Sequence, residues 1–182
     1  PGTGFHGYVL GAAESWSPGA LSEAEFDRAF SRLCLRDSSG KAMEAIRVIG
    51  RYLNNDTPAE TTMTYGYLRQ PFPARPRHMR MQPSSDYFDR MAADIGKVRG
   101  WCAQIQPASL REIYALSAQT AWLAARKARL DGGYHGIGTG ISQREMKREA
   151  GPLARELRAA AARLRQLWPR FAMTENLEPT AA

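Results

Sequence analysis

The chain has 182 residues, 43% of them hydrophobic, with 25 Lys+Arg against 18 Asp+Glu and a net charge of +7. That is enough apolar material for one domain with a sizeable core, and two cysteines, Cys34 and Cys102, are too few for a disulfide scaffold; they read as free core thiols in a reducing compartment. No apolar run approaches the roughly 18 residues of a spanning helix and no signal peptide is visible, so a cytoplasmic location is expected.

The charge is unevenly spread. Residues 97–170 hold 14 Lys+Arg against 5 Asp+Glu, a net of +9, whereas the first 68 residues hold 6 against 8, a net of −2. A basic block of this size beside a near-neutral one points to a polyanionic partner, nucleic acid being the commonest.

In chain order, residues 1–20 are Gly-rich and read as an irregular N-terminal arm, with Tyr8-Val9-Leu10 as a candidate short strand. A helical domain over 21–171 follows. Ser22 and Glu25 make a capping box, and Leu21 with Phe26 sits at the offsets of a hydrophobic staple. Phe26, Ala29, Phe30, Leu33 and Cys34 then form one apolar face. Arg36 to Gly40 breaks that helix; Ala42, Met43, Ile46, Ile49 and Leu53 mark the next, giving a helical hairpin over 22–53.

Five of the eleven prolines fall in residues 54–84, which therefore read as a Pro-rich basic loop. Within it, residues 61–68 are rich in strand formers and could pair with residues 7–10 in a small two-stranded element. Arg75, Arg77 and Arg80 lie near Tyr65, Tyr67 and Phe72, the mixture of basic and aromatic groups that single-strand binders use, or else a mobile surface loop.

Helix returns near Ser85 and ends at Pro107, with Asp86, Asp89 and Asp94 suiting its acidic early turns. A capping box at Ser109 and Glu112 opens a helix to about Leu130. Its apolar residues lie on two sides, Leu110, Ile113, Tyr114 and Ala121 against Leu116, Leu123 and Leu130, which places it mid-bundle. A glycine loop from Asp131 to Ile141 leads to a third box, Ser142 with Glu145. Gly151-Pro152 is expected to interrupt the helix that follows, and Pro169 to stop the last one before a flexible tail over 172–182. The basic helical half is thus 85–170. The fold class is mostly α: a single domain of about five main helices, with the small β element and the long loop as accessories.

Two features of this half suggest anion chemistry. Gly136, Gly138, Gly140 and Ser142 form a candidate anion-binding loop at a helix start, although the sequence fits neither a Walker A loop nor a dinucleotide fingerprint, and a plain linker is the alternative. The segment 141–161, with Met146, Ala150, Gly151 and Leu157, invites a helix-turn-helix reading, weakened by Lys147 and Pro152. Phosphate contacts are expected from Arg144, Lys147, Arg148, Arg155 and Arg158, with Arg75, Arg77 and Arg80 as a secondary arm.

Catalysis has little support. His6, His78 and His135 are far apart, and no metal-ligand, Cys-x-x-Cys or nucleophile-elbow spacing occurs, so neither a metal nor a cofactor is expected. The leading expectation is a non-enzymatic nucleic-acid-binding protein, regulatory or accessory, favouring DNA over RNA. The alternative is an adaptor or inhibitor docking on an acidic protein, with Trp16, Trp101, Trp122 and Trp168 as candidate anchors.

Overall fold

The first helix forms where the sequence pattern is weakest. In the computed structural model, which describes residues 5–53, 87–134 and 141–171, helix α1 runs over Phe5–Trp16. Gly7 and Gly11 weaken it, by roughly 0.5–1 kcal/mol each relative to Ala. Both face outward, with nothing within 4 Å of where a Cβ would stand. What holds the helix is His6, Val9, Leu10 and Ala13, an i, i+3, i+4, i+7 set packed on the core. Residues 7–10 are therefore helical, and the irregular arm expected over 1–20 is largely a helix. The strand expected at 61–68, and the 54–84 loop with it, lie outside the described residues.

Helix α2 spans Glu23–Phe30. Ser22 caps it: its Oγ accepts the Glu25 N–H at 3.3 Å, while the Glu25 carboxylate accepts the Ser22 N–H at 2.9 Å. The chain then takes one wide π turn, Ser31–Leu35, in which the bonding reaches five residues back. That turn shifts the helical register. Leu35 is fully buried, and Leu33, expected inside, is 78% exposed. Arg36 closes the turn in the left-handed region at φ 52°, and the N–H groups of Arg36 and Asp37 both donate to the Ser31 carbonyl.

Asp37 passes the chain on to helix α3, Lys41–Leu53. Its carboxylate accepts the Ala42 N–H at 2.8 Å and both the N–H and the hydroxyl of Ser39. Burial opposes the charge on Asp37, but these hydrogen bonds together outweigh it and hold the carboxyl below its ordinary pKa. Helix α3 buries Ala42, Met43, Ala45, Ile49 and Tyr52; helix α4, Tyr87–Val98, adds Met91, Ile95 and Val98. A 3₁₀ segment, Arg99–Gln104, continues α4 and buries Cys102, and the Gln106 N–H then reaches the Leu35 carbonyl at 3.0 Å. Burial pushes the Cys102 thiol up to about 11, which keeps it protonated and unreactive at neutral pH.

Helix α5, Ala108–Tyr134, is the central element. Tyr114, Ala118, Ala121 and Ala125 belong to the main core, while Leu123 and Leu130 belong to a second, smaller cluster. The two apolar sides read from the sequence are both used. The helix runs past Leu130 through Gly132 and Gly133, so the glycine loop begins later than expected; near its end the buried pair Lys127–Asp131 closes at 2.7 Å, one turn apart.

Helix α6, Gln143–Phe171, is continuous. Gly151-Pro152 does not break it. Ala150 and Leu153, on either side, pack in the second cluster, and that burial offsets the roughly 3 kcal/mol an interior proline costs. A continuous helix has no turn between two helices, so the helix-turn-helix reading fails. The protein is a mostly α single domain, with six helices and no strand among the described residues.

Candidate nucleic-acid interface

The geometry of α6 follows from a seven-residue repeat. Met146, Ala150, Leu153, Leu157, Ala160, Leu164 and Leu167 recur alternately four and three residues apart, the seam of a paired helix. Leu153 and Leu167 are buried; Met146, Ala150, Leu157 and Ala160 pack around Leu123, Leu130 and Leu153; Leu164 remains 48% exposed. Cross-pairs in descending order on α5 and ascending order on α6 show that the two helices run antiparallel.

Those pairs use up the acidic residues. Glu145 meets Arg129 at 3.7 Å; Glu149 and Glu156 meet Arg126 at 3.0 and 2.8 Å; Glu112 meets Arg163 at 2.8 Å; Asp131 meets Lys127. All five carboxylates between residues 97 and 170 are thus engaged. Arg129 also holds Asp89 of α4 at 2.6 Å. Burial disfavours the Arg126 cation, yet Glu156 and Glu149 more than compensate and raise its pKa above the ordinary guanidinium value.

Trp122 ties this network to the main core. The guanidinium of Arg99 lies 3.8 Å from the centre of its ring and that of Arg126 lies 4.5 Å away, and Trp122 packs against both clusters. Gly96 makes room for it, since a Cβ there would stand 3.3 Å from the indole Nε1. Trp122 and Trp101 are half-buried rather than exposed anchors, whereas Trp16 is 89% exposed.

The outer face of α6 is the complement of this seam. Arg144, Lys147, Arg148, Arg155 and Arg158 are all exposed, and Arg165 joins them. At about 100° per residue these six fall within an arc of about 100°, centred opposite the apolar seam. No acidic residue lies in that arc, and none of the six has an ion-pair partner among the described residues. The five phosphate-contact residues expected from the sequence are therefore brought onto one face. Arg165 was missed as a member; its signal is its place seven residues after Arg158 and 21 after Arg144. Arg163, two residues earlier, turns inward to Glu112 instead.

Arg75, Arg77 and Arg80 lie outside the described residues, as do Gly136, Gly138 and Gly140. Ser142 is described, and it serves as the cap of α6: its Oγ accepts the Glu145 N–H at 3.2 Å and its carbonyl accepts the Met146 N–H at 2.9 Å.

His6 is committed to packing. Its Nε2 lies 2.7 Å from Asp27, its ring sits edge-on to Phe26 and Phe30, and Arg47 pairs with the other Asp27 oxygen. A cavity of about 430 Å³ opens between α5 and α6 over Leu116, Ala159 and Ala160; of the charged residues that line it, Glu112 pairs with Arg163, Glu156 with Arg126, and Arg111 donates to the Ile105 carbonyl. Among the described residues no three His, Cys, Asp or Glu side chains gather as metal ligands, and no helix is long and apolar enough to cross a membrane. In comparisons with protein-family models, curated proteins and solved structures, nothing matches this chain.

Proposed function

We propose that the protein is a non-enzymatic nucleic-acid-binding protein, regulatory or accessory in role, which meets its ligand through the outer face of α6. One observation carries this reading. All five carboxylates between residues 97 and 170 are paired, and six cations in a single row have no ion-pair partner among the described residues. Such a row repels itself, and a polyanion relieves that repulsion while releasing its own condensed counterions. The apolar side of α6 is occupied by α5, so insertion into a lipid surface lacks a free apolar face. DNA is favoured over RNA because the row contains no aromatic platform for splayed bases.

Retardation of a labelled duplex at about 50 mM salt, falling steeply by about 200 mM, is the expected result. Absence of binding at the lower salt, with tagged and untagged protein alike, would discard the proposal. A second reading draws on a different surface: Trp16 at 89% and Leu33 at 78% exposure suit an adaptor anchored through the N-terminal helices. Recovery of one stoichiometric protein from nuclease-treated lysate, lost on Trp16→Ala but kept when the α6 arginines are replaced, would favour that reading.

A further inference from the structure

We infer that α6 lies across the major groove of a double-stranded nucleic acid, gripping the phosphate rows on both sides without reading bases; this rests on the nucleic-acid reading above. The spacing along the helix points to it. At about 1.5 Å per residue, the six cations extend over about 31 Å, and they are grouped rather than evenly spread. Arg144, Lys147 and Arg148 form the first group, Arg155 and Arg158 the second, and Arg165 stands alone beyond. The centres of the first two groups are about 15 Å apart, and the third follows after a further distance of about 13 Å.

The interruptions matter as much as the charges. Gly151 and Ala162 occupy the same helical phase as the cations and fall in the two gaps. A single-strand binder interleaves its cations with aromatic rings on which bases stack, and this face has none. A duplex instead presents two phosphate rows bordering a major groove about 12 Å wide. The first two cation groups, about 15 Å apart along the axis, have side chains long enough to reach phosphates on either side of it. Gly151 then lies over the groove with no side chain of its own, and the Arg155 guanidinium stands 3.9 Å from where its Cβ would be. Engagement of these cations on phosphates rather than on base edges gives affinity without sequence preference.

Fluorescence anisotropy on the full chain tests this with three mixed-sequence duplexes of about 20 base pairs and one single strand of equal length. The three duplexes should bind within about twofold of one another and the single strand at least about tenfold more weakly. With six phosphate contacts, affinity plotted logarithmically against salt should fall with a slope near −5. Replacing Arg144, Lys147 and Arg148 with Ala should lower the magnitude of that slope by about 3, and replacing Arg155 and Arg158 by about 2, equally on every duplex. Circular dichroism confirms that each variant remains helical. Equal or tighter binding to the single strand overturns the duplex assignment while leaving nucleic-acid binding intact. So does a preference above about tenfold for one duplex that either variant abolishes, because that is base reading. Binding to none of the four probes overturns both readings together.

Discussion

The main core and the α5–α6 pair solve the same packing problem with different materials. The core joins α1 to α4 with one side of α5 through large side chains, among them Phe26, Phe30, Met91, Ile95 and Tyr114, and few charges enter it. The α5–α6 seam uses Leu, Ala and Met in a single row, flanked by arginine–glutamate pairs, and its outer surface carries cations alone. Segregation by sequence block, visible as +9 over 97–170, is therefore refined into segregation by helix face. Cations toward α5 serve the fold; the six on the outer face have no ion-pair partner among the described residues, and on our proposal they meet a polyanion.

Trp122 is where the two regions meet, and removing it should have the largest effect on stability. Trp122→Ala deletes a side chain that both clusters share and strips Arg99 and Arg126 of their aromatic contact. A loss of about 3–5 kcal/mol is expected from denaturant unfolding, the range for large aromatic truncations in packed sites. Unfolding in two separate transitions, with α6 melting first, would sharpen the comparison by showing that Trp122 couples otherwise independent clusters.

Asp37 tests the other region, where its carboxylate organises the turn into α3 through hydrogen bonds. Asp37→Ala removes the acceptor of the Ala42 and Ser39 N–H groups and should cost about 1–2 kcal/mol, as lost helix caps do. The pH dependence has a definite sign. Because the folded pKa lies below the ordinary value of 3.8, the unfolded chain binds the proton more readily. The contribution of Asp37 is thus fully present above the unfolded pKa and fades as pH falls through the lower, folded one. Urea titrations at several acidic pH values should show a shallower acid limb for Asp37→Ala than for the parent protein; identical limbs would remove Asp37 from the acid response.

Arg36→Gly should give the smallest change, and in the opposite direction. Arg36 is exposed and holds φ at 52°, a conformation that disfavours a side chain by roughly 1–2 kcal/mol. Part of that relief is returned as the extra freedom of glycine in the unfolded chain, so a net gain of up to about 1 kcal/mol is expected in thermal melts. A loss would mean that the Arg36 side chain makes a favourable interaction that outweighs its backbone strain.

Much of the helical layout was legible because its signals are local. Ser22 with Glu25 marks a helix start that forms as written, and the two-sided pattern of α5 announced a central helix. The misses share a physical cause, namely tertiary packing acting against local preference. Gly7 and Gly11 hid the His6, Val9, Leu10, Ala13 stripe of α1. A single π turn exchanged Leu33 for Leu35, which no fixed 3.6-residue period anticipates. Pro152 reads as a helix break, yet burial of Ala150 and Leu153 carries α6 through it. For the candidate interface, residue type and helical phase were legible but pairing was not. The phase sets Arg165 with Arg144 and Arg158, and Arg163 apart from them, while the Glu112 partner of Arg163 lies 51 residues away and has no local signal.

The most direct test of charge sorting by face replaces all six outer cations, Arg144, Lys147, Arg148, Arg155, Arg158 and Arg165, with Gln. Affinity for a mixed-sequence duplex at about 50 mM salt is then measured on protein whose helical spectrum and melting temperature match the parent. A loss of about a thousandfold or more, with little remaining salt dependence, is the expected result for six phosphate contacts. Parent-like affinity in a folded variant would contradict the assignment, and would return the outer face of α6 to the status of solvated charge.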